Sequence, residues 1–213
     1  MTFSIVGRDP RSGSLGVATA TAGPVVGQLV PHGRAGTGAI ATQSRTNPHF
    51  GYDGLELLAD PAADAETVLA RLLAGDAGRE QRQCLIVDRH GKAAAWTGDD
   101  CAAVAASLSR ENLAVGGNFL AGEGVLAAMA AAFDATAGKL EDRLLGALAA
   151  GAAAGGDQRG IGSAALKVYG ERPFPDVDLR ADWSETPIDD LARILAATRE
   201  PDYAGFFEAL PPR

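Results

Sequence analysis

The sequence predicts an α+β fold, with mainly antiparallel sheets and pairs of helices packed on them. Three observations carry this. The chain opens on a β-hairpin pattern. Its helical segments come in consecutive pairs and do not alternate with strands. No repeat or disordered linker divides the 213 residues, so 1–213 reads as a single domain. A doubly wound parallel sheet would need the strand–helix alternation that is missing.

Residues 2–7 alternate and are β-prone, Asp9-Pro10-Arg11-Ser12-Gly13 is a turn, and residues 14–22 return as the second strand. A Gly- and Pro-rich stretch runs from Gly23 to Gly38. It leads into a strand over 38–44 that ends in polar groups and Thr46-Asn47-Pro48. Leu55, Leu57 and Leu58 mark a short helix stopped near Pro61. Val68, Leu69, Leu72 and Leu73 lie at helical spacing, with Asp64 as candidate cap and Gly75 as candidate stop. Strands 83–88 and 92–97 flank the turn Arg89-His90-Gly91, and 113–119 is a further short strand. Two long helices follow over 122–137 and 139–153, separated by Gly138. Their buried stripes are Val125, Met129 and Phe133, then Leu140, Leu144 and Leu148. Residues 164–169 return to strand. A last amphipathic helix spans about 187–198, with Pro187 in its first turn.

Composition removes several function classes. The formal net charge is −8 and no Lys/Arg block offsets it, which excludes a nucleic-acid partner and an anionic membrane surface. The first residues lack the basic and apolar regions of a signal peptide, and no apolar run is long enough to span a bilayer. Cys84 and Cys101 share no CxxC spacing and read as reduced thiols of a cytoplasmic protein. His32, His49 and His90 are scattered, so no metal site is expected.

Chemistry enters at Thr2. Initiator Met is removed efficiently before a small side chain, and a mature chain would then begin with Thr2. Such a residue holds a hydroxyl and, two atoms away, an α-amine with a reference pKa of about 7.7–8.0. Nucleophile and general base come in one residue.

Several short segments are specific in combination. They are Thr2-Phe3-Ser4-Ile5-Val6 with Asp9-Pro10, Ala41-Thr42-Gln43-Ser44 with Asn47-Pro48 and Gly51, and Arg79 through Gln83. Thr97-Gly98, Gly117-Asn118 with Ala121-Gly122, Gly155-Gly156-Asp157-Gln158-Arg159-Gly160 with Ser163-Ala164-Ala165-Leu166, and Val177-Asp178-Leu179-Arg180 complete them. On these segments, nearly the whole chain resembles the bacterial domain-of-unknown-function family numbered 1028. The resemblance implies an N-terminal-nucleophile (Ntn)-hydrolase-like fold: a four-layer αββα sandwich with two mainly antiparallel sheets between helix layers. The chain departs from the family pattern at Gly162, where members often carry Gln, and in a short stretch from Tyr169 to Val177.

The polar residues of these segments have two readings each. Gln43, Ser44 and Asn47, at a strand end, can donate to a developing oxyanion or can be turn and cap chemistry. Gly117-Asn118 can bring a backbone N–H and an amide to the same oxygen, or Asn118 can simply end a strand. Arg159 can clamp a substrate carboxylate, with Asp157 orienting it, or the two can form a structural ion pair. No Gly-Lys-Ser follows the glycines at 155–160, so no phosphate loop is present. The expected function is hydrolysis of a C–N bond in a small amide, ureido compound or short peptide. Thr2, Ser44 and Asn118 would be catalytic, and Gln43, Asn47, Asp157 and Arg159 would bind the small-molecule substrate. That chemistry calls for no cofactor. A homo-oligomer, by default a homodimer, is expected. The alternative is a non-catalytic domain of the same fold that binds a small ligand or a partner protein.

Overall fold

A computed structural model describes residues 2–102, 104–122 and 124–211. The first part contains β1 (Thr2–Arg8), β2 (Leu15–Thr21), β3 (Pro31–Arg34), β4 (Gly38–Ser44), α1 (His49–Leu58) and α2 (Ala65–Ala74). Then come β5 (Arg82–Asp88), β6 (Ala93–Thr97), β7 (Ala106–Arg110), β8 (Leu113–Asn118), α3 (Gly124–Ala135) and α4 (Leu140–Ala153). The chain ends with β9 (Ser163–Tyr169), β10 (Val177–Ala181), α5 (Pro187–Ala197) and α6 (Pro201–Glu208).

The strands form a six-stranded sheet, β10-β9-β2-β1-β8-β7, and a four-stranded sheet, β3-β4-β5-β6. Every pairing is antiparallel. Strand periodicity divides each strand between two faces. In β1, Phe3 and Ile5 pack outward with Met129 and Phe133 of α3 and Leu144 and Leu148 of α4. Val6 packs inward with Val17, Ala39, Ala41, Leu85 and Val87, between the sheets. Ile40 and Ile86 of the smaller sheet face away from that layer, onto Phe50 and Leu58 of α1 and Val68 and Leu72 of α2. Three apolar layers thus separate four layers of secondary structure, and the protein is an αββα sandwich with two antiparallel sheets between helix layers. Each fully buried aliphatic or aromatic side chain contributes about 1.5–3 kcal/mol.

Local chemistry explains the elements. Asp64 caps α2, its carboxylate accepting from Thr67 N–H at 2.8 Å while the Thr67 side chain answers the Asp64 N–H, and Gly75 closes the helix. Gly7 and Gly16 face each other across β1 and β2. A Cβ on Gly7 would lie 2.9 Å from Phe133 Cζ, and one on Gly16 2.6 Å from Leu144 Cδ1, so this bare patch sets how closely α3 and α4 approach. Three strands escape the sequence pattern, namely β3, β7 and β10. All three are sheet edges of only four or five residues, too short for their pattern to stand out from the flanking loops. Helix α6 escapes it too, because it buries none of its residues.

Candidate active site at the Thr2 end of the sandwich

The inward positions of the strands change character along their length. Toward the β1–β2 turn they are aliphatic. Toward Thr2 they become Thr2 and Ser4 on β1, Thr19 and Thr21 on β2, Gln43 on β4, Gln83 on β5 and Asn118 on β8. All seven are buried. Register brings them together: Thr2 lies opposite Asn118, Ser4 opposite Thr19, and Gln43 opposite Gln83.

These groups satisfy one another. Gln43 Nε2 reaches Thr2 O at 3.2 Å, Gly116 O at 3.2 Å and Gln83 Oε1 at 2.6 Å. Gln43 Oε1 lies 2.5 Å from Ser4 Oγ, which is 2.7 Å from Thr19 Oγ1. Ser4 has one proton and Gln43 Oε1 can only accept, so Ser4 donates to Gln43 and the Thr19 hydroxyl donates to Ser4. Gln83 Nε2 donates to Thr97 Oγ1 at 2.8 Å, Gly117 O at 2.9 Å and Ala106 O at 3.0 Å. Asn118 Nδ2 donates to Gln83 Oε1 at 3.1 Å. Thr2 Oγ1 is 3.4 Å from Thr21 Oγ1, a loose contact, and Thr2 keeps 6 % of its surface exposed. Every partner in this network is uncharged.

Four of the five non-glycine residues with positive φ among the described residues gather at the same end; the fifth, Asn112, lies in the β7–β8 turn. Ser44 follows Gln43 with φ 70°, and Phe119 follows Asn118 with φ 52°. Val25, in the loop after β2, has φ 53°; Val104, whose carbonyl accepts from Leu120 N–H at 3.1 Å, has φ 50°. Each such residue costs about 1–3 kcal/mol, and such strain tends to cluster at functional sites. Phe119 is the reason the strand predicted over 113–119 stops at Asn118.

A loop from the end of α4 closes one side. Asp157 is buried; Oδ2 accepts from Ala22 N–H at 3.0 Å and Oδ1 from Arg159 N–H at 2.8 Å. The Arg159 guanidinium stands 5.2 Å from the Phe119 ring centroid and 3.6 Å from Asp157 Oδ2. Its side chain is 52 % exposed, which leaves donors facing solvent. At Gly162 a Cβ would lie 2.6 Å from the Trp183 ring.

The predicted residues therefore fall into three groups. Thr2, Gln43 and Asn118 share one hydrogen-bond network. Asp157 and Arg159 border it through Ala22 and Phe119. Ser44 sits at its strained edge, while Asn47 points elsewhere: its Nδ2 donates to Asp76 Oδ2 at 2.9 Å and its Oδ1 accepts from His49 N–H at 3.2 Å. Asp76 also accepts from Arg82 Nε at 2.9 Å, and chiefly that bond holds its carboxyl down at about 2. Sequence reasoning missed Ser4, Thr19, Thr21 and Gln83. The available signal was the inward position each occupies in its strand pattern, polar where the same face farther along the strand is aliphatic. A cleft of about 810 Å³ by Asp9, Lys139 and Asp176 lies at the opposite end and shares no residue with the network. Met1, whose removal the sequence predicts, lies outside the described residues. No group of His, Cys, Asp or Glu among the described residues could hold a metal ion. No helix among them is long and apolar enough to cross a membrane.

The structure is similar to the crystal structure of protein SPO2555 from Silicibacter pomeroyi, with 34 % identity, a TM-score of 0.91, and 99 % of this chain and 94 % of that chain covered. Anbu (ancestral beta-subunit) from Yersinia bercovieri aligns with 12 % identity and a TM-score of 0.43 over 99 % of both chains. A Gly-1 mutant of Anbu from Hyphomicrobium sp. strain MC1 aligns with 14 % identity and a TM-score of 0.40 over 100 % of both. None of the curated proteins matches the sequence. The family described as "Family of unknown function (DUF1028)" matches residues 2–191, and the Silicibacter protein carries the same family designation, so the chain belongs to DUF1028.

Proposed function

We propose that the chain, once processed to begin at Thr2, is an Ntn amidohydrolase acting on a small amide, ureido compound or short peptide. The observation that carries this reading is the concentration of buried, mutually bonded polar side chains around Thr2. Burying such groups costs stability unless all are satisfied, and an aliphatic layer would serve the fold better, as it does at the other end.

Thr2 Oγ attacks the carbonyl carbon while the α-amine takes its proton. The negative charge on the substrate oxygen is met by the remaining N–H of Asn118 and by backbone N–H groups of the strained strand ends at Ser44 and Phe119. The amine returns the proton to the leaving nitrogen as the C–N bond breaks, and an ester on Thr2 remains. Water, deprotonated by the same amine, then releases the acid. Gln43 holds the Thr2 carbonyl and so fixes the strand from which the hydroxyl projects. Arg159 offers open donors for a substrate carboxylate, and Asp157 holds the loop that carries it. Asn47, tied to Asp76, would act on this site only through the loop after β4.

A second reading keeps the fold without catalysis. The near-complete burial of Thr2 and the position of the cleft at the opposite end favour it. An amide and ureide hydrolysis screen on protein with a verified free Thr2 decides between them. Turnover that is lost in Thr2→Ala and partly kept in Thr2→Ser supports the enzyme. Full activity in Thr2→Ala, or Met1 persisting on active endogenous protein in intact-mass measurement, overturns it.

A further inference from the structure

A primary amide side chain has two faces, one that donates and one that accepts, and its environment selects which way each points. At Gln83 the choice is made by the backbone. Ala106 O and Gly117 O can only accept, and both lie within 3.0 Å of Gln83 Nε2. The NH2 group must face them, so Gln83 Oε1 must face Gln43 and Asn118. The same holds one strand over: Thr2 O and Gly116 O fix the NH2 of Gln43, each at 3.2 Å. With Gln83 Oε1 bound to accept, Asn118 can only present its Nδ2 there, at 3.1 Å. The polarity of Asn118 is thus dictated from a strand of the opposite sheet. Its carbonyl oxygen and one N–H have no partner among the described residues. The residue directly across the ladder, on the same face, is Thr2.

Resting on the Ntn reading above, we infer that Gln83 is a positioning residue. It locks the Asn118 amide so that Asn118 Oδ1 accepts a hydrogen bond from the α-amine of processed Thr2, aiming the amine's lone pair when the proton is lost. Neither role follows from a residue's being buried: an aliphatic side chain at 83 would fill the space and leave Asn118 free to flip. The charged groups nearest this end are Asp157, whose oxygens already accept from Ala22 and Arg159, and Arg159 itself. Arg82, beside Gln83, is paired with Asp76. None of these bonds to Asn118.

The test uses Met1-free full-length chain and reads the Thr2 amine without needing turnover. The rate of amine acylation at Thr2 is followed by mass spectrometry across pH. Loss of an acceptor for the ammonium lowers its apparent pKa, so Asn118→Ala should shift the titration down by about half a pH unit or more. Gln83→Met should do the same, and Gln83→Met should add nothing in an Asn118→Ala background. An unchanged titration in both single variants, or a Gln83→Met shift that persists without Asn118, overturns the assignment. Should Gln83→Met fail to fold, the unmutated protein gives the answer by NMR. The Asn118 side-chain amide resonances should move with the Thr2 titration, and resonances that stay fixed through it count against the inference. Coupled titration without any amide hydrolysis would leave the positioning role standing and remove the proposed reaction.

Discussion

Two ends of one inter-sheet layer are built from the same strands. At Val6, Val17, Ala41, Leu85 and Ala114 the sheets meet through aliphatic side chains. About 7 Å farther along those strands, at Ser4, Thr19, Gln43, Gln83 and Gly116, they meet through hydroxyls, amides and a bare carbonyl. Both ends are fully buried, so exposure does not explain the change. The aliphatic end can repack around a substitution. The amide end cannot: each hydroxyl and amide there is both donor and acceptor in a fixed direction, and the strand ends that hold it are strained. Such a region is suited to holding atoms in place and poorly suited to maximising stability.

The comparison is broken most directly at Thr2 and Leu85. Thr2→Ala is expected to lower turnover by about 10⁴-fold or more, with the thermal midpoint unchanged, because among the described residues its side chain makes no tighter bond than the loose 3.4 Å contact with Thr21. Leu85→Ala should do the reverse, costing about 2–5 kcal/mol in urea unfolding while turnover per folded molecule stays near the starting value. If the two variants behave alike, the two ends are not functionally distinct.

A smaller effect is expected at Gln43. Gln43→Leu keeps the volume and removes the amide, leaving Thr2 O, Gly116 O, the Ser4 hydroxyl and one side of Gln83 Oε1 without their partner. Unsatisfied buried groups cost roughly 1–3 kcal/mol each at most, less where neighbours re-form bonds, so a loss of about 1–3 kcal/mol is expected. Ser4→Ala, which removes one hydroxyl between Thr19 and Gln43, should cost less than Gln43→Leu. The reverse order in urea unfolding would mean that the amide is not the hub of the network.

Much of this was legible in the sequence, and the remainder was hidden for physical reasons. The hairpins, the helix pairs and the cap at Asp64 follow from local pattern, because local pattern causes them. Edge strands β3, β7 and β10 are four or five residues long, and so short a pattern does not stand out. Gln43 and Asn118 stood out because each lies at a strand end, and Thr2 because removal of the preceding Met would give it a hydroxyl and a free α-amine together. Ser4, inside its strand, and Gln83, near the start of its own, did not, since a polar residue in a strand looks like a solvent-facing position until the layer on both sides is known. Asn47 shows the opposite failure. Its neighbourhood in sequence to Gln43 suggested a shared site, yet the strand end at Ser44 intervenes and Asn47 bonds to Asp76.

That last point sets the smallest effect. Asn47 caps the turn into α1 and bonds to Asp76, itself paired with Arg82. Asn47→Ala should therefore cost about 1 kcal/mol of stability, as a lost cap does, and leave turnover per folded molecule unchanged. The pH dependence separates this cluster from the amide network. The Asp76 carboxyl, held down chiefly by Arg82, titrates at about 2 in place of 3.8. A depressed carboxylate contributes stability that is complete above its unfolded value and is lost as pH falls toward its folded value. The Asp76 contribution should thus disappear between about pH 4 and pH 2, and Asp76→Asn should remove that part of the acid limb. The amide network contains no carboxylate, so Gln43→Leu should lower stability by the same amount at every pH across that window. If Asn47→Ala instead abolishes turnover and leaves the acid limb untouched, Asn47 belongs with Thr2, and the boundary between site and scaffold lies one loop farther out than the hydrogen bonds place it.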